Sequence, residues 1–269
     1  MRNPLPWVLL ASALALPLEP ADAGRKNRLP EPITSAAEVT QLGLYTFAPL
    51  SPELLQSRLA PGYTLKECIA GLGYSAFVML TEQTLLDPPF LPVTSHSISL
   101  QTCATPPPGY AHPDPIGEFD WYVLYVASDV DEQTQALLAP YGAQRDVAVF
   151  TWLRVDDVNF SFTVERPGVG LLATGTMASP GVPVPIAGFE CTPGWRQGRN
   201  LRPNPALQRT YAVDFVKREA VCAGTGSISF FSTSPFSELT NVGALQPLTL
   251  LVRVEEQLAT YFTIPDAAK

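Results

Sequence analysis

The residues able to do chemistry are few, and their spacing limits what they can do. A Ser-His-Asp site would have to use His96 or His112, and no G-x-S-x-G elbow accompanies either one. His112 lies in Ala111-His112-Pro113-Asp114-Pro115, ahead of Glu118 and Asp120. These could form a His/carboxylate metal site, but the run reads as a solvated proline-rich loop, and no metal is expected. His96 falls in an alternating segment, where it is expected as a structural or pocket-facing residue. Asp156-Asp157 could supply paired carboxylates for acid–base work, yet beside Arg154 they read as a strand-end turn. Gly168-Val169-Gly170 and Gly224-Thr225-Gly226 are not followed by a helix, so they are turn glycines and not phosphate cradles. No cofactor is implied. Asn159-Phe160-Ser161 fits a glycosylation sequon, but inside a strand pattern it reads as a chance match.

The four cysteines, Cys68, Cys103, Cys191 and Cys222, are an even set with no C-x-x-C spacing that would bring two thiolates to one zinc ion. They read as two disulfides. Of the three possible connectivities, Cys68–Cys103 with Cys191–Cys222 is favoured because each pair would tie neighbouring strands. Loops of this length would contribute roughly 3–4 kcal/mol per bridge on the chain-entropy model.

An oxidising compartment is also what the amino terminus implies. Arg2 gives a positive start, Trp7 to Leu18 form an apolar run too short to cross a bilayer, and Ala21-Asp22-Ala23 is a small-x-small cleavage pattern. Residues 1–23 are therefore expected to be a removable signal peptide, and the mature protein to be secreted or periplasmic. The formal charge is −8. Removing Arg2, Glu19 and Asp22 leaves the chain acidic, which disfavours nucleic acid as a partner, and no membrane span is expected.

The elements that must position these residues are mostly strands. Phe160, Phe162 and Val164 alternate with Asn159, Ser161 and Thr163, the period of a half-buried strand. Further strands are expected at Ala76–Thr81, Ser97–Cys103, Trp121–Ala127, Val147–Val155, Val169–Met177, Tyr211–Cys222, Ser227–Phe231 and Leu248–Val254. Two segments look helical. Ser51-Pro52-Glu53 offers an N-cap and a first-turn proline ahead of Leu54, Leu55 and Leu59, and Asp129-Val130-Asp131-Glu132 opens a second helix ending near Pro140. The 28 prolines, about twice average usage, fall in loop clusters, and a 46% hydrophobic composition can fill a core. One α+β domain results, mostly antiparallel β with a few short helices.

Order and spacing carry a family resemblance. Ser51-Pro52-Glu53-Leu54-Leu55 leads into Leu59-Ala60-Pro61-Gly62-Tyr63; Trp121 to Val126 precede the helix through Leu137-Leu138-Ala139; Arg218 to Ile228 are followed by the closing Glu256-Gln257-Leu258-Ala259-Thr260-Tyr261-Phe262. In this order the chain resembles the acetoacetate decarboxylase superfamily. The resemblance implies a cone-like β-sheet around an apolar pocket, here over residues 49–265, with residues 24–48 as a proline-containing amino-terminal segment.

That family forms an imine on a lysine whose neutral amine attacks a ketone. Where the family has Pro-Lys-Lys, this chain reads Tyr141-Gly142-Ala143-Gln144-Arg145-Asp146, and a guanidinium cannot form an imine. The matching stretch Val93-Thr94-Ser95-His96-Ser97 also lacks the family's glutamate. Lys66 reads as a surface charge beside Glu67, and the charge of Arg218 should lie on the opposite strand face from Lys217. The resemblance therefore implies a binding protein without Schiff-base chemistry, holding a small apolar or carboxylate-bearing molecule with His96, Gln144 and Arg145 as pocket candidates. The alternative is a divergent lyase or hydrolase using the same pocket.

Overall fold

The computed structural model describes residues 32–49, 51–69, 71, 73–85, 93–108, 110, 120–129, 132, 135–136, 139, 146–154, 160–166, 171–183, 191–204, 208–230 and 248–265. The signal segment, His112, Asp156, Asp157, Gln144 and Arg145 lie outside the described residues.

Among the described residues the elements follow in the order β1 (Ile33–Pro49), α1 (Pro52–Ser57), β2 (Thr64–Leu65), β3 (Ser75–Leu85), β4 (Val93–Thr105) and β5 (Asp120–Ser128). They continue with β6 (Asp146–Val147), β7 (Val149–Arg154), β8 (Phe160–Arg166), β9 (Leu171–Pro183), β10 (Gly194–Asn204), β11 (Arg209–Phe230) and β12 (Leu248–Pro265). The main sheet runs β10-β5-β4-β3-β1-β12-β11-β9-β8-β7. Because β10 pairs with β5 on one side and with β11 on the other, β10, β5, β4, β3, β1, β12 and β11 curl into a ring. Strands β9, β8 and β7 extend from the far half of β11, whose near half belongs to the ring.

Side-chain parity then separates inside from outside, since successive residues of a strand face opposite ways. Val78, Leu80, Ile98 and Leu100 point outward and are covered by Phe162 and Val164 of β8, with Leu55 of α1 in the same cluster. This second layer over the ring holds the main apolar core. The alternation of Phe162 and Val164 against Ser161 and Thr163 is the pattern expected from the sequence, with only the first pair buried.

Helix α1 starts as its sequence dictates. The Ser51 hydroxyl accepts from the Leu54 N–H at 3.3 Å, Pro52 occupies the first turn, and the Gln56 side chain bonds both Tyr63 and Leu65. The N-cap is worth about 1 kcal/mol. In the turn that follows, the Tyr63 N–H donates to the Ala60 carbonyl at 3.2 Å, with Pro61 and Gly62 between them. Gly62 has φ +89°, the left-handed geometry that the third position of a type II turn requires. Of the expected second helix, Glu132, Gln135 and Ala136 are helical, and its remaining residues are largely outside the described set.

Strands β1 and β10 were not anticipated. β1 lies between β3 and β12 in the middle of the sheet, where residues 24–48 were expected as a segment ahead of the domain. β10, with two glycines, a proline and three arginines, lacks β-branched residues altogether, so its strand state comes from pairing with β11 and β5 and not from propensity. Both favoured disulfides form, Cys68–Cys103 and Cys191–Cys222. Two buried or half-buried bridges suit an oxidising environment. Among the described residues no helix is long and apolar enough to cross a membrane.

Candidate functional site

The inward parity of the ring builds a cavity of about 120 Å³. Met79 and Thr81 of β3, Ser97, Ser99 and Gln101 of β4, and Tyr211, Val213, Phe215 and Lys217 of β11 all point into it. A bulge in β5 between the Leu100–Tyr125 and Gln101–Val123 pairs resets its parity, so that Trp121, Val123 and Val126 all reach the wall. Asn200 and Arg202 of β10, with Gln257 and Tyr261 of β12, complete the lining. The expected apolar surface is present in the aromatic and aliphatic members, interleaved with hydroxyl, amide and cationic groups.

One end of the ring is filled. Phe77 and Cys103 are almost wholly buried, and they pack with Cys68 and Ile69 against Met79 and Trp121. The Trp121 ring meets Phe77 edge-on at 5.1 Å, so the Cys68–Cys103 bridge backs the aromatic wall of the cavity.

Near this end lies Lys217, only 5% exposed, with Nζ 5.4 Å from the Trp121 ring centre and 5.1 Å from that of Phe215. Its amine is 2.6 Å from Oε2 of Glu219, which shares its face of β11 two residues on, and Arg196 Nε approaches the other Glu219 oxygen at 3.3 Å. Arg218 points the opposite way and pairs with Glu255. The sequence reading placed the Lys217 and Arg218 charges on opposite faces, as found, but it passed over Glu219. The signal was available: within a strand, residues 217 and 219 must share a face.

Polar groups on the wall bond one another. Thr81 and Ser97 hydroxyls lie 2.6 Å apart, and Gln101 Nε2 donates to Ser99 Oγ at 2.8 Å. Gln101 Oε1 and Asn200 Oδ1 are buried with no hydrogen-bond partner among the described residues.

His96 has outward parity and is not in the described lining of this cavity. Its Nδ1 sits 2.7 Å from Asp129 Oδ2 and its Nε2 3.3 Å from Glu82 Oε2, while the ring packs against Phe150 and Trp152 of β7. Burial works against charging the ring, but the hydrogen bonds and charges of Asp129 and Glu82 outweigh it and lift the pKa from 6.5 to about 9. The structure thus places His96 as an imidazolium clamp joining β3, β4 and the end of β5, against the β7 layer.

Neither a family model nor a curated protein matches the sequence. Solved structures do. An acetoacetate decarboxylase is 11% identical, over 87% of this chain and 91% of its own, with a TM-score of 0.51. The enduracididine biosynthesis enzyme MppR, solved with the condensation product of pyruvate and imidazole 4-carboxaldehyde, is 15% identical over 93% of each chain, with a TM-score of 0.45. An acetoacetate decarboxylase from Legionella pneumophila is 13% identical over 86% of this chain and 85% of its own, with a TM-score of 0.45. Identities this low transfer no residue roles. The first of these likenesses shows that the chain has the fold of acetoacetate decarboxylase.

Proposed function

We propose that this is an exported binding protein that holds a small carboxylate-bearing molecule inside the ring and does not decarboxylate it through an imine. The observation that carries the reading is the charge of the wall: among its described residues the ionisable side chains at neutral pH are Lys217 and Arg202, both cations, with no carboxylate in the lining. A buried cation lined by aromatic faces and reached through a cavity is a natural receptor for a small anion. Imine formation needs a free neutral amine, and the Lys217 amine is instead engaged by Glu219 at 2.6 Å.

The same pair favours a second reading, a divergent enzyme. In that reading the Lys217 amine is the nucleophile and the Glu219 carboxylate, 2.6 Å away, is the group that receives its proton. One experiment separates the two. Borohydride added with acetoacetate should leave the mass of the protein unchanged, while small carboxylates raise its melting temperature, since a ligand that binds only the folded state stabilises it. A stable adduct mapped to Lys217 would replace the binding reading with the enzyme. A melting temperature indifferent to every small acid would remove the binding reading.

A further inference from the structure

Resting on the reading of the cavity as an acid-binding site, we infer that its ligand is a small polyhydroxylated acid, of the sugar-acid class, and not an aliphatic or simple keto acid. The argument starts from the uncharged part of the wall. Thr81, Ser97, Ser99, Gln101, Asn200 and Gln257 come from four strands of the ring and face one cavity. Each can both donate and accept a hydrogen bond. Beyond its carboxylate an aliphatic acid gives such groups nothing to bond, whereas a ligand hydroxyl is itself donor and acceptor and can join their network.

Two observations point to a missing partner. Gln101 is 2% exposed, yet its Oε1 has no partner among the described residues while its amide nitrogen is spent on Ser99. Asn200 Oδ1, on β10 beyond β5, is likewise buried and without a partner among the described residues. Buried acceptors without partners are costly and uncommon in folded proteins, and these two belong to residues that line one cavity, which points to ligand O–H groups as their partners. The Tyr211 and Tyr261 rings, near-parallel with centres 6.3 Å apart, add aromatic faces on β11 and β12 for the C–H side of a hydroxylated chain.

The described volume is consistent with a small ligand. At roughly 10–15 Å³ per water-sized atom, the cavity takes about eight to twelve non-hydrogen atoms. That matches a four-carbon hydroxylated acid. Lys217 and Arg202 supply the charge for its carboxylate.

The test is calorimetric titration of the full-length, disulfide-bonded protein with L-threonate, with butyrate as the same carbon chain lacking hydroxyls, and with erythritol as the uncharged polyol. Threonate should bind at least tenfold more tightly than either. A site built to bond hydroxyls discriminates strongly against analogues that lack them. Gln101→Met should weaken threonate at least tenfold and leave butyrate within threefold. Asn200→Ala should do the same, which keeps the test alive if the first variant fails to fold. Butyrate binding as tightly as threonate would overturn the hydroxyl inference and leave acid binding standing. Erythritol matching threonate would support the hydroxyl contacts and overturn the requirement for an acid. No binding by any of the three would overturn both.

Discussion

Lys217 and Glu219 stand two residues apart on the same face of one strand, and their charged atoms meet at 2.6 Å with each side chain about 95% buried. An ion pair removed from water this completely is held by its own geometry, and breaking it from one side leaves a charge with no solvent to receive it.

Lys217→Met should therefore destabilise the protein by about 3 kcal/mol, the lower part of the range for breaking a buried pair, because Arg196 still approaches Glu219. Lys217→Met with Glu219→Leu should recover most of that loss. Urea denaturation of the two variants measures both effects. A double variant no more stable than the single one would contradict this account.

His96 gives a prediction in pH. Its folded pKa of about 9 stands above the ordinary 6.5, so the stability it contributes is fully present below pH 6.5 and lost as pH rises through about 9. Melting temperature should fall across pH 7–10. In His96→Gln that slope should flatten. An unchanged slope in the variant would assign the alkaline loss to other groups.

Non-reduced peptide mapping should recover Cys68 linked to Cys103 and Cys191 linked to Cys222, with no free thiol. In exported protein, intact mass should also show the loss of residues 1–23. Replacing Cys68 and Cys103 together by alanine should cost about 3–4 kcal/mol on the chain-entropy model. It should also loosen the aromatic wall, seen as weaker near-ultraviolet dichroism from Trp121.

Gly62→Ala should lose roughly 1–2 kcal/mol, because an L residue is strained at φ +89°. A Cβ there would also meet Pro107 at 3.0 Å. Equilibrium unfolding of the variant checks it; stability equal to that of the parent protein would mean that the turn adapts.

Local chemistry was what the sequence made readable. The Ser51 cap, the Phe162 and Val164 alternation and the cysteine pairing all depend on residues close in sequence or on a small set of combinations. Ring closure depends on neither. Arg199, Asn200 and Leu201 of β10 pair in parallel with Asp120, Trp121 and Tyr122, about eighty residues earlier, and nothing in the local composition of either segment marks that partnership. The cavity inherits this non-locality. Gln101, Asn200 and Lys217 converge only when the ring is closed, so the candidate site could not be assembled from spacing alone. His96 was singled out for its chemistry; Asp129 and Glu82 engage its ring, and parity turns it outward.

The position of β12 bears on when the protein can fold. It lies between β1 and β11, pairing residues near 33–47 with residues near 248–261. Until β12 has been synthesised, β1 has only β3 as a neighbour and the ring is open, with its interior in water. Such a long-range closure is slow, since chain entropy is lost before the pairing rewards it.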